Sequence, residues 1–370
     1  MRKHHSKNER IKRHYLAYLV EAKRMSEKTT DQVAAAIATF EASSGYKDFA
    51  LFRIEQARKF KRDMADHVNP ETGKPLAKAT MRSRLNHVKA FFQWLSREPG
   101  YKSKIRYSDA DYFNLSANDT RVATAKREQP APNAEQIRHV LKSMNAQTDI
   151  RKRDRALIAF AFLTGIRDDA LASLAIKHVD LARRQVFQDA RDVRTKNRKT
   201  ILSVFFPVGE DVETIVHDWI RFLQTERFYG PDDPLFPSTE VGLTDADVFG
   251  ALGLSRTFWK NAGPIRKVFR RAFEGADLPY FNPHSFRKTL AQIGERVCRT
   301  PEEFKAWSQN LGHENVLTTF TSYGEVRSDR QAEILSNFCS MSGQQKVSDE
   351  APDPATVDRV LQHLSKQHGR

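Results

Sequence analysis

Residues 116–133, SANDTRVATAKREQPAPN, divide this chain. The stretch is small, polar and proline-containing, and it has no apolar periodicity, so it reads as a linker. At 370 residues the chain exceeds what one compact core ordinarily holds. The division therefore predicts a basic N-terminal segment (1–28), a helical domain (29–115), the linker (116–133), a second domain (134–340) and a tail (341–370).

Helical spacing dominates the first half. Thr30 is placed to cap a segment with Val33, Ile37 and Phe40 on one face, and Leu51, Ile54, Phe60 and Met64 continue the pattern beyond a loop at Ser43, Ser44 and Gly45. After Asn69, Pro70, Gly73 and Pro75 comes a helix with the stripe Met81, Leu85, Val88, Phe92 and Leu95. Its other faces carry Lys78, Arg82, Arg84 and Lys89. Residues 1–115 hold 24 Lys/Arg against 13 Asp/Glu, whereas the remaining 255 hold 37 against 33, so most of the net charge of +15 lies early. Such an excess favours a polyanion, which it binds by neutralising phosphates and releasing counterions. Those four cations are accordingly the first domain's candidate groove or backbone contacts with a nucleic acid, which charge alone does not specify as DNA or RNA.

The second domain mixes helices with a small sheet. Asn133 and Gln136 form a capping box, and residues 151–164 make an apolar helix that Gly165 ends in a left-handed cap. Asp168 opens the next helix, which leaves Arg167 in a tight turn. Strand-like runs at Gln185–Gln188 and Ile201–Phe206 flank Arg194-Thr195-Lys196-Asn197-Arg198-Lys199, the polar turn of a β-hairpin or three-stranded sheet. Amphipathic helices return with Ile215, Trp219, Phe222 and Leu223. In the tail, Val357, Val360, Leu361 and Leu364 have the spacing of one short helix, docked on its own domain or on a neighbouring subunit.

Composition removes several classes. No stretch approaches the roughly 18 consecutive apolar residues that span a membrane, and the first 24 residues, with eight Lys/Arg and two Glu, lack a secretory apolar run. Cys298 and Cys339 are too few for a disulfide scaffold or a four-ligand zinc site. The expectation is a cytoplasmic, nucleoid-associated protein with no membrane partner, no metal and no cofactor.

The chemistry concentrates near the C-terminus: His284-Ser285-Phe286-Arg287, then Leu311-Gly312-His313, then Tyr323 ten residues on, with Arg167 far upstream. A phosphodiester under attack gains charge on its equatorial oxygens, and fixed guanidinium and imidazolium donors stabilise that charge. A planar guanidinium grips two phosphate oxygens at once. A tyrosine, with an ordinary pKa near 10, becomes a competent nucleophile among such cations. Taken singly, each signal is weak: a tyrosine usually packs, and an arginine after a helix often only neutralises its dipole.

The ordered set TGIR, TKNRK, HSFRKT, LGHENV and SYGEV resembles the tyrosine recombinase, or phage integrase, family over roughly residues 130–330. The segment ATMRSRLNHVKAFFQWL resembles that family's core-binding domain. The resemblance implies a mainly α (α+β) chain: an N-terminal helical core-binding (SAM-like) domain plus a C-terminal, mostly helical catalytic domain with a small antiparallel β-sheet. It makes Arg167 and Arg287 the phosphate-holding arginines, His284 a proton handler, His313 a phosphate support and Tyr323 the nucleophile. Lys196 becomes the general acid for the departing 5′ oxygen, with Lys199 in reserve and otherwise a DNA contact. Three positions depart from the family pattern. Ala170 stands where an acid is common, Lys288 replaces a histidine, and the His313–Tyr323 spacing is one residue longer.

The resemblance further implies a site-specific recombinase acting through a 3′-phosphotyrosyl link, for integration, excision or resolution of a mobile element. Its partners are double-stranded DNA, a homo-tetramer on two duplexes and accessory DNA-bending proteins. Three readings compete: a DNA-binding regulator without strand exchange, a topoisomerase-like nicking and resealing enzyme, and a metal-dependent transposase, which requires clustered carboxylates.

Overall fold

The structure, a computed structural model, describes residues 4–70, 73–125, 130–243 and 248–312. It divides into two units, 1–127 and 128–370, each with its own apolar core.

Among its described residues the first unit is helical: α1 (Ser6–Glu21), α2 (Glu27–Ser43), α3 (Ile54–Ala65), α4 (Lys78–Leu95) and α5 (Ala117–Thr124), with two 3-10 turns. The expected stripe of α4 is wholly buried and joins Phe40, Phe52, Phe60 and Phe113 in an aromatic core. Phe52 and Phe92 lie closest, with ring centroids 4.2 Å apart. Ser26 caps α2 in place of Thr30. Its hydroxyl accepts from the Thr29 amide at 3.3 Å, and Thr30 donates back to the Ser26 carbonyl at 3.1 Å. Glu27 and Lys28 are good helix formers, so the helix begins a turn earlier than the Thr30 cap implied.

Two further stretches differ from their expected roles. The basic segment 1–28 contains α1, whose Tyr15 and Leu19 enter the first core. The linker 116–133 contains α5, which Ser116 starts by accepting from the Asp119 amide at 3.0 Å. No residue of α5 is buried, so no stripe announced it. α1 is also tied down by polar groups. Asn8, fully buried, donates to Glu41 Oε1 at 3.0 Å and to the Lys47 carbonyl at 2.9 Å, and accepts from the Phe49 amide at 3.0 Å. Lys12 completes the network by pairing with Glu41.

The second unit opens with α6 (Ala134–Ser143), on the expected capping box: Asn133 accepts from the Gln136 amide at 2.8 Å and its own amide donates to Gln136 Oε1 at 2.9 Å. Next comes α7 (Asp149–Thr164), whose residues from Ala156 to Thr164 are all buried, followed by the short α8 (Asp168–Leu171). An antiparallel sheet in the order β1 (Val179–Asp180), β2 (Gln185–Gln188), β3 (Ile201–Val204) pairs Phe187 with Leu202. β3 ends before Phe206, whose amide turns inward to the Leu163 carbonyl at 2.7 Å. Then come α9 (Glu210–Thr225), a two-stranded hairpin of β4 (Thr239–Leu243) and β5 (Phe249–Leu254), and α10 (Gly263–Glu274), α11 (Pro283–Val297) and α12 (Pro301–Asn310). No described helix is long and apolar enough to cross a membrane.

The buried Asn8 network generates a test. Asn8→Ala removes one hydrogen-bond partner each from Glu41, Lys47 and Phe49, with Lys12 still paired to Glu41, at a cost of about 1–3 kcal/mol. Chemical denaturation followed by circular dichroism should show a lowered midpoint for the first unit; an unchanged midpoint would mean that α1 is not part of this core.

Candidate active site

α11 sets the first pair of reactive groups. Asn282 caps it, accepting from the Ser285 amide at 3.1 Å, and Pro283 occupies the first turn, where its missing N–H costs nothing. Phe286 and Leu290 point into the core. His284 and Arg287, three apart, come out on a shared side, as their spacing predicts.

Arg287 is 5% exposed. One Nη donates to the Gly165 carbonyl at 2.5 Å and the other to the Leu311 carbonyl at 2.5 Å. A single guanidinium thus joins the turn after α7 to the turn after α12. Both turns use left-handed glycines: Gly165 has φ 63° and Gly312 φ 68°. A side chain at Gly165 would meet Leu311 Cδ2 at 2.8 Å. Burial, and after it the charge of Arg167, push Arg287 down to about 9, so it remains a cation at neutral pH.

Arg167 is half-buried in an extended conformation just before α8, and burial lowers its pKa as well. Ala170, the departure from the family pattern, is buried in the core. The adjacent carboxylates hold other parts of the site. Asp168 pairs with Arg266 of α10 at 2.8 Å, and Asp169 with Arg194 at 3.1 Å.

Arg194 anchors the loop that carries the candidate general acid. Its amide donates to Ser173 Oγ at 2.9 Å and its guanidinium to the Trp259 carbonyl at 2.8 Å, while the neighbouring Val193 is buried. Beyond this anchor, Lys196–Arg198 form a 3-10 turn with Asn197 at φ 60° and Arg198 at φ 50°. Lys196 and Lys199 are both exposed there. The expected polar turn at 194–199 is thus a turn in the structure, and the Val193 amide, just before it, returns to the Asp189 carbonyl at 2.7 Å.

His284 registers the convergence of these groups. Its pKa is lowered first by burial of the ring's surroundings, then by Arg287 and Arg167, and also by Lys196, with Asp168 opposing. Four residues from three distant stretches of sequence therefore act on one imidazole. The shift favours the neutral imidazole, the form able to accept a proton.

Asn310, which the sequence did not single out, latches the end of α12 to the sheet. Its amide group accepts from the Val204 amide at 2.6 Å and donates to the Val204 carbonyl at 2.8 Å. This latch and Arg287 fix the chain at Leu311 and Gly312. His313 and Tyr323 lie outside the described residues. Of the α4 cations, Lys78 pairs with Asp119 at 2.9 Å and Lys89 with Asp111 at 2.8 Å. Arg82 is exposed and Arg84 half-buried. Among the described residues, no group of three His, Cys, Asp or Glu side chains could hold a metal ion.

Residues 133–330 match the phage integrase family. The chain belongs to this family. It is a site-specific recombinase of the tyrosine type. Tyrosine recombinase XerC of Halalkalibacterium halodurans is 25% identical over 267 residues, covering 70% of this chain and 75% of that protein. Tyrosine recombinase XerD of Vibrio vulnificus is 26% identical over 263 residues, covering 70% and 74%. A lambda integrase (75–356) dimer bound to a COC′ core site superposes with a TM-score of 0.58 at 12% identity, over 86% of this chain and 96% of that one. The Tn1549 transposon integrase in complex with transposon right end DNA gives 0.56 at 16%, over 89% and 99%. These two structures share the fold of this integrase-family chain, which is helical with small antiparallel sheets.

The crowding of cations around His284 predicts a coupled titration. In the free protein its imidazole should titrate below the ordinary 6.5, so the proton is disfavoured in the folded state and the associated stability falls as pH drops through that range. An anion seated between the arginines should reverse the shift. Histidine-selective NMR with and without inorganic phosphate measures both, and a His284 pKa at or above 6.5 in the free protein contradicts the geometry.

Proposed function

We propose that Tyr323 attacks a scissile phosphorus in double-stranded DNA, with Arg167 and Arg287 holding the nonbridging oxygens. The phenol oxygen forms a bond to phosphorus as the bond to the 5′ oxygen breaks, leaving a 3′-phosphotyrosyl link and a 5′-hydroxyl. His284, in the neutral form that its surroundings favour, takes the phenol proton, and Lys196 supplies the proton to the departing oxygen from its exposed turn. His313 supports the phosphate. Because the phosphodiester energy is kept in the covalent link, attack by a partner strand's 5′-hydroxyl reverses the step without ATP.

The observation that carries this reading is the Arg287 bridge: the guanidinium that would grip the phosphate also fixes the turn bearing Arg167, through the Gly165 carbonyl. Two guanidiniums held side by side lower each other's affinity for a proton, and an incoming phosphodiester relieves that repulsion most where its charge is greatest. On this reading the arginine pair is set before the substrate arrives.

The remainder of the reading extends this chemistry to an assembly. The first unit acts as the core-binding domain, with Arg82 and Arg84 as its strongest DNA candidates, since Lys78 and Lys89 already pair with carboxylates. Lys199 adds a contact from the second unit. Four protomers engage two duplexes in the cytoplasm, at the nucleoid, to integrate, excise or resolve a mobile element, with accessory DNA-bending proteins as further partners. The tail, 341–370, is the candidate for a protomer contact if it docks in trans and not on its own domain.

The experiment is incubation with nicked duplexes taken from the flanks of the chain's own gene, followed by denaturing electrophoresis. The intact chain should form a covalent protein–DNA adduct in the presence of a chelator, and Tyr323→Phe none. An adduct that survives Tyr323→Phe, or that requires a divalent ion, would overturn the assignment. Relaxation of supercoils without partner exchange would move it to a topoisomerase.

A further inference from the structure

A second histidine stands at the foot of the loop that carries Lys196. His178 closes the 3-10 turn Ile176–His178 and is 5% exposed. Its Nδ1 accepts from the Ala175 amide at 2.9 Å, so a neutral ring carries its one hydrogen on Nε2. Burial, and after it Lys177, lower its pKa, with Asp192 and Asp189 opposing, and the neutral ring is thereby favoured. Nε2 is buried, has no hydrogen-bond partner among the described residues and lies 3.6 Å from Asp192 Oδ2. That gap is longer than a hydrogen bond. What spans it is the pull of a carboxylate on an N–H dipole that water does not reach.

Asp192 lies where the loop leaves the sheet. β1 and β2 pair through Val179 and Val186, which sets His178 beside the end of β2. The Asp192 and Val193 amides both return to the Asp189 carbonyl, at 3.1 and 2.7 Å, and Thr200 Oγ1 accepts from the Ala190 amide at 3.3 Å to close the stem. Arg194, fixed on Ser173 and Trp259, follows Asp192 by two residues, and Lys196 by four. Lys177 also pairs with Asp192, at 3.0 Å, and divides itself between that carboxylate and Asp232 at 2.9 Å. Exposed pairs of this kind hold a chain weakly. The imidazole, packed in the unit and bonded at its other nitrogen, is the rigid reference.

We propose that His178 is a positioning residue for strand cleavage: its Nε2–H holds Asp192, and through Asp192 the stem that aims Lys196. The inference rests on the reading of Lys196 as the general acid. A histidine serving only the fold would need Nδ1, which satisfies the Ala175 amide, and would have no use for Nε2. Substitution can separate the two ring nitrogens. Asparagine puts an oxygen near the Nδ1 position and nothing at Nε2. Glutamine reaches the Nε2 position with an amide and leaves Ala175 without its acceptor.

The test compares His178→Asn with His178→Gln in the full chain, on nicked duplexes from the flanks of its own gene. His178→Asn should slow formation of the covalent adduct at least about tenfold, out of the roughly 10²–10⁴-fold that a general acid supplies, with DNA affinity unchanged. The amides of residues 192–196 should lose hydrogen-exchange protection in the same variant. His178→Gln should recover both rate and protection, although it lowers the denaturation midpoint by orphaning the Ala175 amide. A substrate with sulfur in place of the departing 5′ oxygen needs no proton at that atom, so it should restore the rate of His178→Asn. Lys196→Ala on the sulfur substrate separates the two readings. If sulfur does not rescue Lys196→Ala, Lys196 is not the acid, and exchange at 192–196 still decides whether His178 holds the stem. Equal losses in the two His178 variants, or unchanged exchange in His178→Asn, overturn the proposal. So does sulfur that rescues Lys196→Ala and not His178→Asn.

Discussion

A buried guanidinium must spend its donors somewhere, and Arg287 spends two on the carbonyls of turns that are far apart in sequence. Hydrogen bonds from a charged donor contribute about 1.5–3 kcal/mol each, and leaving such a group unpaired inside a protein costs more. The arginine therefore draws the end of α7 and the end of α12 onto the start of α11. Glycines at both turns let the backbone come this close; at Gly165 a larger residue would strike Leu290 and Leu311. Arg167 follows Gly165 by two residues, so the brace also places the second guanidinium. Lysine, with one charged nitrogen on a flexible stem, has no planar fork for two carbonyls in different turns.

Bringing these cations together is unfavourable in the free protein. Arg287 is held down to about 9 by burial and by Arg167, and the pKa of His284 is lowered by partial desolvation and the same arginines. The packing of α7, α10 and α11 offsets that repulsion. A phosphodiester would remove it, so the interaction grows as negative charge accumulates in the transition state. The loop holding Lys196 is anchored by Arg194 only at its base, and its exposed tip is suited to approach DNA. On the proposed assignment, the imidazole beside fixed cations and the lysine on an exposed turn would divide the proton transfers between two environments.

Much of this was legible because it follows from local chemistry. The capping box at Asn133, the left-handed Gly165 and the shared side of His284 and Arg287 are set by residues within one or two turns of each other. What escaped depends on distance or on missing periodicity. The Arg287 bonds span 122 and 24 residues, and Asn310 reaches Val204 across 106. α1 hides its inward face behind the polar Asn8, and α5 buries nothing. The β4–β5 hairpin alternates glycines at 242, 250 and 253 with exposed apolar residues, a pattern without the half-buried period of a sheet strand.

The central claim is that one arginine holds two turns together. Amide hydrogen exchange in the full chain, compared with Arg287→Lys, tests it directly. The account predicts that residues 163–168 and 309–312 lose protection together, while α6 and the first unit keep theirs. Loss in only one of the two turns, or in neither, would contradict it.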